Sequence, residues 1–201
     1  MRSKEGDSLR SLLDFVEFTH NFQQVERIVL VNGKERWEND AEHSYQLSLV
    51  AWYLVEHNKL NLNLNKIVLL ALVHDLPETY AGDTYIFDEQ AVLDGKQKRE
   101  AEAVQLLKKN FPDFSSLHEL MAEYEARKTP ESKFVYALDK LLPVLNIYLD
   151  RGRTWQKKGI TLEQLFQAKN DKISVSSDLL PYWKELAAIL RENKQLFSGS
   201  V

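Results

Sequence analysis

The chain has 201 residues, 44% of them apolar, with 26 basic and 30 acidic side chains and a net charge of −4. That length suits one domain with a sizeable core. The acidic balance argues against a broad surface for a nucleic-acid polymer, although a few local Arg and Lys residues suffice for a small anion.

Cysteine is absent, which excludes disulfides and thiolate metal sites. The longest apolar run, Ile67 to Val73, is too short to span a bilayer, and MRSKEGDSLR lacks the apolar stretch of a secretory signal. A cytoplasmic protein with no membrane attachment is expected.

In chain order, Leu9 to Phe22 carries Leu12, Leu13, Phe15, Val16 and Phe18 in an amphipathic helical pattern. Ile28 to Asn32 is β-prone but isolated, so no sheet is predicted. Asp40 suits the N-cap of a helix running to about His57, with Trp52 and Tyr53 facing the core. A third helix runs from near Asn65 through IVLLALVHD, and Pro77 and Gly82 break the chain after it.

Lys96 to Asn110 reads as an exposed helix and Ser116 to Lys128 as another, with EYEARK (Glu123 to Lys128) as a solvated face. Pro130 opens a long helix through Asp150, in which Pro143 predicts a kink near Asp139. TLEQ at Thr161 is a capping-box pattern, and Asp178 to Phe197 forms the last helix. The fold class is all-α: one helical bundle over residues 1–201, with its C-terminal helices in 160–198.

His43, His74, Asp75 and Asp139 lie in or beside predicted core helices. Buried ionisable groups are costly unless paired or bound to metal, and two imidazoles with two carboxylates suit a divalent ion such as Mn, Co, Fe, Ni, Zn or Mg. Pro77 disfavours helical geometry at Leu76, so the helix ends there and re-aims His74 and Asp75. Taken singly, each of the four has the alternative role of a hydrogen-bonded core residue, and spacing alone leaves the two readings balanced.

The order AEHS (Ala41 to Ser44), HDLPETYAGD (His74 to Asp83) and ALDKLLP (Ala137 to Pro143) resembles the HD-domain metal-dependent phosphohydrolases. The likeness is greatest to the branch containing bacterial 5′-deoxynucleotidases. The resemblance implies a helical bundle in which His43, His74, Asp75 and Asp139 hold one divalent metal. It implies catalytic roles for Glu78 and Asp83, which would orient water or relay its proton beside a metal that acidifies water and neutralises phosphoryl charge.

By family position Arg27 is the phosphate cation, although Ile28 follows it where relatives have tryptophan. Arg36 and Trp37 are the alternative pair for phosphate and base, and Lys140 also has reach to phosphate. Arg151 and Arg153 either line a phosphate pocket or complement a helix end.

The implied substrate is a nucleoside or deoxynucleoside 5′-monophosphate. Another nucleotide phosphate ester and a non-catalytic nucleotide-binding role are the alternatives. Homodimers are also implied by the resemblance.

Overall fold

The computed structural model describes residues 4–88 and 90–199, so the outer limits 1 and 201 of the expected domain lie outside the described residues. Ten α-helices are described: α1 (Lys4–Phe22), α2 (Asp40–His57), α3 (Leu64–Val73), α4 (Glu78–Ala81), α5 (Gln90–Asn110), α6 (Ser115–Ala126), α7 (Pro130–Leu149), α8 (Arg153–Lys158), α9 (Leu162–Ile173) and α10 (Leu180–Glu192). No described helix is long and apolar enough to cross a membrane.

The β-prone stretch after α1 is not isolated. Strand β1 (Glu26–Leu30) pairs antiparallel with β2 (Trp37–Asn39), and Arg27 faces Glu38 across an irregular register. The partner strand was hidden because WEN is three residues long and shows no alternation. Arg153 fixes the hairpin from outside. It bonds the Lys34 carbonyl at 2.8 Å and pairs with Asp150 and Glu35, so it braces this loop rather than lining a cavity.

Sequence capping signals explain several helix starts. Asn39, not Asp40, is the N-cap of α2: its side chain accepts from Glu42 N, and the Glu42 carboxylate accepts from Asn39 N. Asp40 is thereby moved to the first helical turn and is fully buried. Thr161 and Gln164 make the predicted capping box of α9. Pro130 stands in the first turn of α7, and that helix continues through Pro143 to Leu149.

The core has two parts. Leu47 and Ala51 of α2, Ile67 and Leu70 of α3, and Phe134, Leu138 and Leu141 of α7 belong to the larger. The smaller joins Phe18 and Phe22 of α1 to Val73, Leu76, Leu107, Leu117 and Met121. His74 and Asp75 lie between Val73 and Leu76 of the smaller cluster, whereas Asp139 lies between Leu138 and Leu141 of the larger. The ionisable residues thus gather at the seam between two apolar bodies.

Two expectations about the core fail. Leu12 and Leu13 are more than half exposed, so α1 docks through Phe15, Phe18 and Phe22 instead. Trp52 and Tyr53 are 52% and 60% exposed and join Tyr45 and Leu49 in an outward stripe on α2. A spacing of 3.6 residues identifies an apolar face but not what covers it.

Candidate metal centre and its cavities

Helix α3 ends at Val73, and the His74 N–H closes its last turn on the Leu70 carbonyl at 3.1 Å. Pro77 then starts a new short turn, with Glu78 N bonding the Asp75 carbonyl at 2.8 Å. This break turns His74 and Asp75 inward together. His43 comes from the first turns of α2, and Asp139 from the middle of α7.

One ligand atom from each of His43, His74, Asp75 and Asp139 lies within 4.8 Å of the others. His43 Nε2 is 3.1 Å from Asp139 Oδ1, and His74 Nε2 is 2.9 Å from Asp75 Oδ2 and 3.7 Å from Asp139 Oδ1.

The residues fit a divalent cation on three grounds. His74 Nδ1 lies 2.9 Å from the Ala71 carbonyl and so donates to it, which leaves Nε2 as the nitrogen aimed into the cluster, a ligand once a cation displaces its proton. Among the described residues that Nε2 makes no well-aligned hydrogen bond, only the close approaches to Asp75 and Asp139. Burial opposes a charged His74, yet Asp75 and Asp139 outweigh burial and push it up to about 10, so the two carboxylates hold a proton where a cation would compete for it. His43, lowered to about 4 by burial and by Arg27, supplies the neutral imidazole that a metal requires.

Asp139 is held from behind. Tyr124 donates to its Oδ2 at 2.8 Å, and Lys140 Nζ lies 2.6 Å from the same oxygen, leaving Oδ1 toward the two imidazoles. Tyr124 is buried, so EYEARK is not simply a solvated face. No sequence signal separates this tyrosine from its exposed neighbours.

Arg27 lies beside the cluster. Its Nη1 donates to Asp75 Oδ2 at 2.6 Å and to Asp40 Oδ1 at 2.9 Å, and stands 4.0 Å from Glu78 Oε2; its Nε is 3.8 Å from Glu38 Oε2. Asp40, Asp75 and Glu78 form a second convergent group with oxygens within 4.8 Å, and Arg27 serves as their common cation. Burial is the main cause that raises Glu38 and Asp40 to about 7, and it raises Glu78 as well. Glu38 and Asp40 are therefore part of the site although neither was singled out from the sequence.

Two cavities meet here. The first, of about 310 Å³, runs from Arg27, Asp75, Glu78, Asp83 and Asp139 past Lys140 to an apolar end at Val144, Ile147, Trp155 and Leu165. The second, of about 520 Å³, lies along α5 and α6 and reaches His74, Tyr124 and Tyr136. Asp75, Glu78, Lys96, Lys140 and Lys172 line both.

Arg36 and Trp37 line neither cavity. Arg36 is committed to Glu42 through Nη1 and Nη2, at 2.8 and 2.6 Å. Trp37 lies under Lys157 and Lys158, at 5.1 and 5.3 Å.

The HD domain family profile matches residues 19–180, which takes in every residue of the cluster. The chain belongs to the HD-domain family. It is 32% identical over 143 residues to the 5′-deoxynucleotidase HDDC2 of Homo sapiens, covering 70% of this chain and 68% of that protein. It is 30% identical over 125 residues to the 5′-deoxynucleotidase hdd1 of Schizosaccharomyces pombe, covering 59% and 61%.

Among solved structures, a protein of Magnetospirillum magnetotacticum MS-1 described as a predicted metal-dependent phosphohydrolase superposes with a TM-score of 0.83. It is 28% identical, with 98% of this chain and 100% of that one covered. The HD-domain fold expected from the three motifs is the fold observed, with the β1–β2 hairpin added to the helices.

Proposed function

We infer that this HD-domain protein is a metal-dependent phosphohydrolase that converts (deoxy)ribonucleoside 5′-monophosphates to nucleoside and inorganic phosphate. The observation that carries the reading is the convergence of His43, His74, Asp75 and Asp139 within 4.8 Å, with Asp75 and Asp139 lining a cavity that also carries Val144, Ile147 and Trp155. The relatives named 5′-deoxynucleotidase supply the substrate class.

A divalent metal held by these four residues supplies Lewis acidity toward a phosphoryl oxygen and acidifies water. Glu78 Oε2 is buried without a hydrogen-bond partner and faces both cavities. It holds a proton there and passes it to the leaving 5′-oxygen. Asp83, on the wall of the first cavity, orients the attacking water and takes the proton that it loses on forming the new P–O bond. Arg27 keeps Asp75, Asp40 and Glu78 in place, and in this reading its effect on substrate runs through them. The nucleoside lies along Val144, Ile147 and Trp155. A cytoplasmic location belongs with this proposal, because free nucleotides are the substrate.

The test is phosphate release from a panel of ribo- and deoxyribonucleoside monophosphates. The protein is first stripped with chelator and then reloaded separately with Mn, Co, Mg, Zn or Ni. Metal-restored release from at least one nucleotide is expected. Metal binding with no release from any monophosphate would overturn the reading.

The proposal includes a homodimer. Tyr45, Leu49, Trp52 and Tyr53 recur at i, i+4, i+7 and i+8 along α2, and Leu69 and Leu72 of the adjoining α3 are also exposed. Sedimentation equilibrium should give twice the chain mass for the wild type and the single-chain mass for Trp52→Glu. A monomeric wild type would refute the assignment.

A further inference from the structure

Three buried polar atoms meet beside the metal cluster. Arg27 Nε, Glu38 Oε2 and His43 Nδ1 are each shielded from solvent, and none makes a hydrogen bond among the described residues. Glu38 Oε2 is 3.8 Å from both of the others. Buried polar groups are ordinarily paired, so three of them gathered at one point call for a reason.

The chain puts Glu38 there by local means. Glu38 is the middle residue of β2 and faces Arg27 of β1. Asn39 then caps α2, and the Asp40 N–H bonds the Val25 carbonyl at 3.0 Å, which ties the start of the helix to the hairpin. The Asn39–Glu42 capping box fixes the first turn, and His43 follows on it. Glu38 and His43 are thus held together across a strand-to-helix corner, with side chains 8% and 0% exposed.

The two imidazoles of the cluster need the same support and find it differently. A histidine ligand is oriented by the acceptor of its other ring N–H. For His74 that acceptor is the Ala71 carbonyl, 2.9 Å from Nδ1. His43 turns Nε2 toward Asp139 Oδ1, so as a neutral ligand it carries its one proton on Nδ1. No backbone carbonyl among the described residues accepts from that nitrogen, and the carboxylate oxygen within reach is Glu38 Oε2. A shift of about 1 Å brings the pair into hydrogen-bond range.

We propose that Glu38 is the positioning residue of His43: its Oε2 accepts from Nδ1–H, which fixes the tautomer of the ring and aims Nε2 at the metal. The inference deepens the metal-dependent reading and rests on it for His43 as a ligand. Arg27 Nε approaches the same oxygen, so one carboxylate joins the arginine to the imidazole. A carboxylate acceptor also makes His43 a stronger donor than a neutral carbonyl would.

The test compares Glu38→Gln, which keeps an oxygen acceptor but loses the charge, with Glu38→Leu, which loses both. Zinc is the probe. Its affinity is read by competition with a chromophoric chelator, and the ring N–H groups by proton–nitrogen NMR of the zinc-loaded, histidine-labelled protein. Glu38→Leu is expected to weaken zinc binding by about tenfold to a hundredfold and to abolish the protected His43 Nδ1–H signal. The His74 signal, anchored on Ala71, should persist as an internal control. Glu38→Gln should keep the His43 signal and most of the zinc affinity.

A glutamate retained only as the counter-ion of Arg27 would give another pattern. Both variants would then melt lower by similar amounts, with zinc affinity and the His43 signal as in the wild type, and that result would overturn the assignment. A wild type that takes up no zinc would remove the metal-dependent reading and this inference together. If zinc binds and Glu38 controls the His43 signal, yet no nucleotide is hydrolysed with any metal, the positioning role stands and the nucleotidase reading falls.

Discussion

Asp139→Asn is expected to empty the metal site and to lower kcat/KM by at least about 10³, since the metal is asked for several kcal/mol of transition-state stabilisation. Asp139 Oδ1 is the oxygen nearest both imidazoles, at 3.1 and 3.7 Å, and Oδ2 is saturated by Tyr124 and Lys140. Asparagine preserves the shape but removes the charge. If its amide nitrogen turns toward the imidazoles, a donor points at the metal position. If it turns the other way, that donor meets the Lys140 ammonium. Neither rotamer rebuilds the site.

Metal content after dialysis, measured by atomic emission, should fall from one equivalent to near zero, and phosphate release should fall with it. A variant that keeps its metal and works within tenfold of the wild type would remove Asp139 from the ligand set. His74→Ala should behave alike, because its Nε2 faces only Asp75 and Asp139 of the same cluster.

What could be read from the sequence was set by how local each cause is. The end of α3 at His74 follows from Pro77 acting on its immediate neighbours, and the α9 start follows from Thr161 and Gln164 three residues apart. The convergence of His43, His74, Asp75 and Asp139 was legible because each sits in a recognisable local motif.

The carboxylates around Arg27 were not legible in this way. Arg27 meets Asp75 across 48 residues, and Asp40 looked like a helix cap because Asn39 beside it has the same capping chemistry. Tyr124 meets Asp139 only because α6 packs on α7. Lys169 was hidden for a related reason: a lysine on an amphipathic helix is ordinarily solvated, and nothing within α9 shows that this one faces a cavity.

Arg36 and Trp37 illustrate the opposite error. Arginine beside tryptophan suits phosphate and base chemically, but the turn geometry gives the guanidinium to Glu42.

Glu78→Gln separates proton transfer from metal binding. Glu78 opens α4 immediately after the Pro77 turn, with its side chain 12% exposed and its Oε2 without a hydrogen bond among the described residues, 4.0 Å from Arg27 Nη1. Burial, reinforced by Asp75 and Asp40, raises its carboxyl above the usual range and favours a retained proton. A group that works in its protonated form gives activity that is present below its pKa and lost as pH rises through it.

Glutamine keeps the volume and a hydrogen-bonding end but cannot exchange a proton. The variant should therefore lose about 10²–10⁴ in kcat, the usual range for a positioned acid or base, while retaining one equivalent of metal and a KM near that of the wild type. The alkaline limb of the kcat–pH profile should vanish with it. A substrate whose leaving group is already a weak base, such as p-nitrophenyl phosphate, needs no proton at departure and should suffer much less from the substitution. Equal losses on the nucleotide and on p-nitrophenyl phosphate would show that Glu78 does not protonate the leaving oxygen. Loss of metal along with activity would make it a support for Asp75 instead.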